Sequence, residues 1–354
     1  MTSVDNIPSA KPTTRSLPIQ FWPEADRNAW TAALQPASRL KRGGIAGHLK
    51  PITRSNYARQ YGNFIGFLDR AGLLRPEGRA ASNVTTDNVS AYLTEIKGRL
   101  GSVSVHGSIC MLRSAAQYIA PDRDFSWLAE IGNDLAFVAR PRSKFDRLVL
   151  TETLVEAGLV LIHEAEQSRS MSEFSRAIQA RNGLMVALLA LCPIRRKNFA
   201  ALEIGRSFVE IHGTWWIVLS ASETKEKRAD ERPINELLKP VIDRYLGQHR
   251  PVLARSHRAS SALWLSSRGA VTDHQITEMI TKTTLSTVGV AVSPHLFRTS
   301  AASTVATYGG DNPYLGSALL HHTHPSVTIT HYNRATTLSA GENFRRVVRQ
   351  YEKG

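Results

Sequence analysis

The chemistry-bearing residues of this 354-residue chain gather in four short stretches. The last of them, "ALLHHTHPSVTITHYNRA" (residues 318–335), holds four histidines and one tyrosine. Three readings are open for it: a metal site, a solvated polar loop, or a place where a tyrosine does chemistry. His321, His322, His324 and His331 are imidazole donors of the kind zinc accepts. However, no His-Glu-x-x-His pattern accompanies them, and Cys192 is remote in sequence. The other stretches are "CPIRRKNFAAL" with Arg195, "SETKEKRADERPI" with Lys225, and "SPHLFRTSAA" with His295 and Arg298. Each has an ordinary alternative. Arg195 can complement a helix terminus, Lys225 can be a solvated loop lysine, and His295 and Arg298 can be an i, i+3 pair on a helix surface.

These stretches sit within a chain whose patterning is mostly helical. Tyr57, Tyr61, Phe64, Ile65 and Leu68 fall at i, i+4, i+7, i+8 and i+11, one face of a helix. "VTTDNVSAYLTEIKGRL" starts another, with threonine caps and Asp87 in the first turn. "SVSVHGSICMLRSAAQYIA" gives a third, closed by Pro121. Residues 49–138 are thus expected to form a small helical domain. Residues 1–48, rich in Pro, Ser, Thr and Ala, read as a flexible or loosely docked arm with a short helix near 24–34. "ARPRSKFDR" (139–147) combines proline with basic side chains and reads as a linker.

In residues 148–354 the pattern predicts helices over 151–166 and 173–191, then a change of texture. "SFVEIHGTWWIVLSASETKEKRADERPI" has two apolar, β-branched and aromatic runs about a "HG" turn. A polar loop and a short third strand ending at Pro233 and Ile234 follow. Helices resume over 236–248 and 273–285, and "SPHLFRTSAASTVATYGG" reads as a capped helix stopped by a glycine pair. Asp311 or Asn312 then caps a further helix with Pro313 in its first turn. Phe344, Val347, Val348 and Tyr351 mark a short amphipathic tail helix. The expected fold class is mainly α with a small antiparallel β-sheet.

Charge narrows the function. Forty-four Lys and Arg against 30 Asp and Glu give +14. The excess is spread as 7 basic against 3 acidic side chains in residues 1–50, 12 against 8 in 51–145, and 25 against 19 in 146–354. No basic tail explains it, so a long polyanion gripped over more than one domain is the expected partner. The longest apolar run, "GLMVALLALCPI", is too short for a membrane span. The N-terminal residues have no apolar signal-like core, and Cys110 and Cys192 have no paired spacing. A soluble cytoplasmic, DNA-associated protein without a membrane partner is expected.

Taken in order, Arg195, a hairpin Lys225, His295-x-x-Arg298, then His322 and Tyr332 resemble the catalytic domain of the tyrosine recombinases, the phage-integrase family. Residues 49–138 look like that family's core-binding domain, and the resemblance runs over roughly residues 50–354. It implies that Tyr332 is the nucleophile and that Arg195 and Arg298 bind the non-bridging phosphate oxygens bidentately. It further implies that His295 is the base, that Lys225, on a mobile loop, protonates the departing sugar oxygen, and that His322 donates a hydrogen bond to the phosphate. The implied product of cleavage is a 3′-phosphotyrosyl intermediate, with no cofactor, no ATP and no metal.

By the same resemblance the partner is double-stranded DNA carrying recombination sites, held in a C-shaped clamp of two domains. The assembly is a homo-tetramer at synapsis, and a monomer or weak oligomer without DNA. The tail helix would dock on a neighbouring subunit, and accessory DNA-bending proteins or a partner recombinase can take part, as on mobile genetic elements. Alternatives are a type IB topoisomerase activity and a catalytically silent DNA-binding protein of the same fold. Three positions depart from the family pattern. Pro193 stands where glycine is usual before the first arginine, and Asn198 where an acidic residue follows it. His321 replaces the glycine of Leu-Gly-His, and His322 and Tyr332 are ten residues apart where nine is more common.

Overall fold

The computed structural model describes residues 14–37, 42–141, 145–225 and 227–308. His322, Tyr332, the helix restarting at Asp311 and the tail helix lie outside the described residues. The fold is mainly helical with small antiparallel sheets, and it divides into two compact units that part at residues 142–143. This division falls within the basic stretch 139–147.

The N-terminal unit contains α1 (Glu24–Ala33), α2 (Pro51–Arg70), α3 (Thr86–Lys97), α4 (Ser102–Ile119) and α5 (Ser126–Phe137). The face read from α2 is the buried one: Tyr61, Phe64, Ile65 and Leu68 are all solvent-free. Its neighbours are chiefly α4, whose Val105, Ile109 and Leu112 recur at i, i+4 and i+7. Helix α3 begins where the Thr85 hydroxyl accepts the Asn88 amide at 3.3 Å, an N-cap that satisfies one of the helix's orphan donors.

The described part of the arm differs from the loose segment expected of residues 1–48. Leu17, Trp22 and Trp30 belong to the same apolar core as α2, and the Trp22 ring lies 4.8 Å from that of Tyr61. Asp26 is buried and bonded at both oxygens, accepting the Tyr61 hydroxyl at 2.8 Å and the Ala81 amide at 2.6 Å. Composition favours looseness because Pro, Ser and Thr dominate it, but two tryptophans bury enough apolar surface to outweigh that bias.

The second unit opens with α6 (Thr151–Gln167) and α7 (Glu173–Leu191), which pack at close range. A Cβ on Gly158 would lie 2.6 Å from the Gly183 carbonyl oxygen, and one on Gly183 would lie 2.6 Å from that of Gly158. After α8 (Arg196–Ala200) come β1 (Phe208–Ile211), β2 (Thr214–Leu219) and β3 (Asp230–Pro233), ordered β1-β2-β3 and antiparallel throughout. Ile211 pairs with Thr214 across His212 and Gly213, whose φ values are 50° and 79°. Two left-handed residues form the tight turn whose twist matches the strands.

The helix expected over 236–248 is instead broken into α9 (Lys239–Arg244), a wider π turn (Tyr245–His249) and α10 (Arg250–Leu253). Pro251 has no amide to close an ordinary helical turn, and the Arg250 amide bonds back to Tyr245, five residues earlier. A two-stranded ribbon not expected from the sequence, β4 (Leu265–Ser266) with β5 (Gly269–Ala270), follows. Helix α11 (Asp273–Val288) starts on a reciprocal Thr272–Gln275 capping box and stops at Gly289 with φ 70°. The last described helix is α12 (Pro294–Tyr308).

Candidate active site

Helix α7 is buried nearly all round from Ala177 to Ala190, so the point where it ends is fixed by the core. Cys192 closes it, donating its amide to Leu188 at 2.8 Å. The Cys192 thiol is buried, which pushes its pKa up to about 12 and keeps it protonated and inert. Pro193 cannot extend the helix, and the Ile194 amide bonds to the Cys192 carbonyl at 2.7 Å, reversing the chain. Arg195 then stands half-buried at the N-cap of α8, its carbonyl accepting the Phe199 amide at 2.9 Å. Phe199 locks α8 in place, its ring tilted against that of Trp264 with centroids 5.0 Å apart while its carbonyl accepts the indole N–H at 2.8 Å.

The second arginine arrives on α12. Leu296, Phe297, Ser300, Ala301 and Ala302 are buried, and this holds the helix rotation. Arg298 is 8% exposed, and its Nη1 donates to the Pro193 carbonyl at 2.5 Å. A residue 105 positions away in sequence is thereby tied to the turn directly before Arg195. His295 lies one turn before Arg298 on the same face of α12 and is exposed. The Arg298 guanidinium is thus held at the turn that leads into Arg195, and a guanidinium is a group suited to an anion with several oxygens.

Lys225 is carried by the loop between β2 and β3 and is exposed. At the foot of this loop Asp230 and Arg232, two residues apart on β3, share its buried face. They form a bidentate pair with Nε–Oδ1 at 2.6 Å and Nη2–Oδ2 at 2.9 Å. Both charges act on the Cys192 thiol, so this strand lies within electrostatic reach of the turn that ends α7. Sequence reasoning does not single out Asp230 and Arg232. Their i, i+2 spacing is the available signal, but it marks a shared strand face without saying that the face is buried.

His322 and Tyr332 lie outside the described residues, as do His321, His324 and His331. Among the described residues no group of three or more His, Cys, Asp or Glu is arranged to hold a metal. No helix among them is long and apolar enough to cross a membrane. Asn198, where the resemblance expects a carboxylate, is half-buried on α8.

Comparison with known proteins bears on the family and the fold. The Phage integrase family matches residues 162–338, half of the chain. Tyrosine recombinase XerD of Mycobacterium tuberculosis is 24% identical over 320 residues, covering 88% of this chain and 95% of that protein. Among solved structures, the XerH site-specific recombinase bound to its difH substrate superposes with a TM-score of 0.55 at 14% identity. That alignment covers 79% of this chain and 76% of the other, a likeness of fold.

Proposed function

Because the chain belongs to the phage integrase family, we propose that it is a site-specific DNA recombinase working through a 3′-phosphotyrosyl intermediate. The observation that carries this reading is the tie between Arg298 and the Pro193 carbonyl. It puts the guanidinium of α12 beside the turn that bears Arg195, with His295 on the same helix face.

In the proposed reaction the Tyr332 phenolate oxygen attacks the scissile phosphorus. The new P–O bond forms on the tyrosine, the P–O5′ bond breaks, and the phenolic proton passes to His295. A phenol with an ordinary pKa of about 10 is mostly protonated at neutral pH, so it needs this base and the field of nearby cations. Charge that accumulates on the non-bridging oxygens is met by Arg195, Arg298 and a hydrogen bond from His322. Lys225 donates a proton to the departing 5′ oxygen. Attack by a 5′-hydroxyl reverses every step, so the bond energy is retained and neither ATP nor a metal is consumed. The N-terminal helical unit acts as the core-binding domain, and basic side chains over both units contact phosphates. The active assembly is a tetramer on two DNA sites.

The test does not require the target sequence to be known beforehand. Wild-type protein and Tyr332→Phe are incubated with sheared host DNA at low salt, denatured, and examined for DNA that stays attached. An adduct mapping to Tyr332 and missing from the variant is the expected result, and sequencing the attached DNA identifies the site. Binding by both proteins with no adduct from either would reject the reading in favour of a silent DNA-binding protein.

A further inference from the structure

The loop that presents Lys225 is built more firmly than an exposed lysine requires. Thr224 is buried although Lys225 beside it is exposed. The Thr224 hydroxyl donates to the Arg228 carbonyl at 2.7 Å and accepts the Arg228 amide at 3.1 Å. One side chain thus satisfies both backbone groups of the residue four positions on and closes the loop on itself. Lys227 has φ 55°, a left-handed conformation that is unfavourable for a side-chain-bearing residue. Such a residue persists where its surroundings over-determine it.

The near side of the loop is anchored separately. Glu223 accepts the Ser220 amide at 2.9 Å and the Ser220 hydroxyl at 2.8 Å through one oxygen, and Arg206 at 2.8 Å through the other. Arg206 in turn bonds Glu203 at 2.6 Å, and Glu203 lies three residues after α8, the helix that Arg195 caps. The lysine loop is therefore referenced to the element carrying the first arginine.

We infer that Thr224 and Glu223 are positioning residues that hold the Lys225 loop ready before DNA arrives, so that its ammonium meets the leaving oxygen. The inference rests on the proposed role of Lys225 as proton donor. In place of a mobile loop that folds around the substrate, it assigns a loop tied at Thr224 and Arg228, on either side of Lys225. Pre-placing a proton donor removes the ordering step that would otherwise accompany each cleavage.

The test uses the full chain and duplexes carrying the site recovered from the adduct. One duplex has the natural scissile phosphodiester; the other has sulfur in place of the bridging 5′ oxygen. A departing thiolate needs no proton, so the sulfur duplex bypasses Lys225. Lys225→Ala should slow cleavage of the oxygen duplex by ~10²–10⁴ and leave the sulfur duplex near wild type. Thr224→Val, which keeps shape and loses the hydroxyl, should slow the oxygen duplex by ~10–100-fold and spare the sulfur duplex, with DNA affinity unchanged. Thr224→Ser should behave as wild type. Equal losses on both duplexes in Thr224→Val, or no loss at all, would overturn the inference.

A DNA-free measurement tests the closed loop directly. The Arg228 amide should exchange slowly in the wild type and quickly in Thr224→Val, and fast exchange in the wild type would also overturn the inference. If Lys225→Ala slows both duplexes alike, the proton-donor reading itself falls and takes the inference with it.

Discussion

At the scale of single residues, Arg298 has two tasks that pull in different directions. It is nearly buried, and part of its hydrogen-bonding capacity goes to the Pro193 carbonyl, yet the proposed chemistry needs its remaining N–H groups for phosphate. A guanidinium can serve both because its donors form a planar fork, whereas an ammonium is a point charge. Arg298→Lys should therefore keep DNA binding and lower the rate of adduct formation by ~10²–10³, the scale for losing one preorganised donor to a developing oxyanion. Glu223 supplies a pH prediction. Its bond from Arg206, then those from Ser220, hold the carboxyl at about 2 against an ordinary 4.5. The folded state thus binds this proton less readily than the unfolded chain. Its stabilising contribution is complete above pH 4.5 and is lost as pH falls toward 2. Thermal unfolding across that range should show a shallower acid loss in Glu223→Gln than in the wild type.

At the scale of elements, the site depends on helices whose positions are set by packing. Helices α6 and α7 meet at Gly158 and Gly183, where each would place a Cβ 2.6 Å from the other's carbonyl oxygen. Backbone atoms at this distance cannot be accommodated by turning a side chain. Gly158→Ala should destabilise the second unit by ~1–3 kcal/mol, read as a lowered denaturant midpoint. Because α7 runs into the Cys192–Arg195 turn, the same variant should slow adduct formation even under conditions where it remains folded. In the N-terminal unit, Asp26 joins the arm to α2 and to the Ala81 backbone. Asp26→Ala strands two buried donors, each costing ~1–3 kcal/mol, and should lower the unfolding temperature more than removal of any exposed arm residue.

At the scale of the whole molecule, net charge is the dominant property. An excess of +14 shared by both units predicts binding driven largely by release of counterions from DNA. A protein neutralising ~6–10 phosphates loses ~10³–10⁵ in affinity between about 50 and about 200 mM salt. Titrations at several salt concentrations should give a steep linear relation between log affinity and log salt. A flat relation would show that the charge serves another purpose.

Much of this organisation is legible in the sequence because it is periodic or stoichiometric. The buried face of α2 follows from apolar residues spaced at helical intervals. The β1–β2 turn follows from His212-Gly213 between β-forming runs, and the helix break before Arg195 from Pro193. The order Arg195, Lys225, His295, Arg298 is legible as a resemblance to the tyrosine recombinases, since each residue type alone has an ordinary alternative. Contacts between distant residues are not legible. Nothing local says that Arg298 bonds the Pro193 carbonyl, that Asp230 and Arg232 face inward, or that Thr224 closes on Arg228. The arm departs from its expected looseness for the same reason: local composition favours a loose segment, and burial of Leu17, Trp22 and Trp30 depends on a surface made by α2 and α4. By itself, the sequence determined which groups are present and which elements form, since both depend on side-chain type and short-range spacing. Only the tertiary structure decided which of those groups are dry and which are paired, as Arg298 is with the Pro193 carbonyl, because burial and hydrogen-bond partnership are properties of residues that meet across the chain.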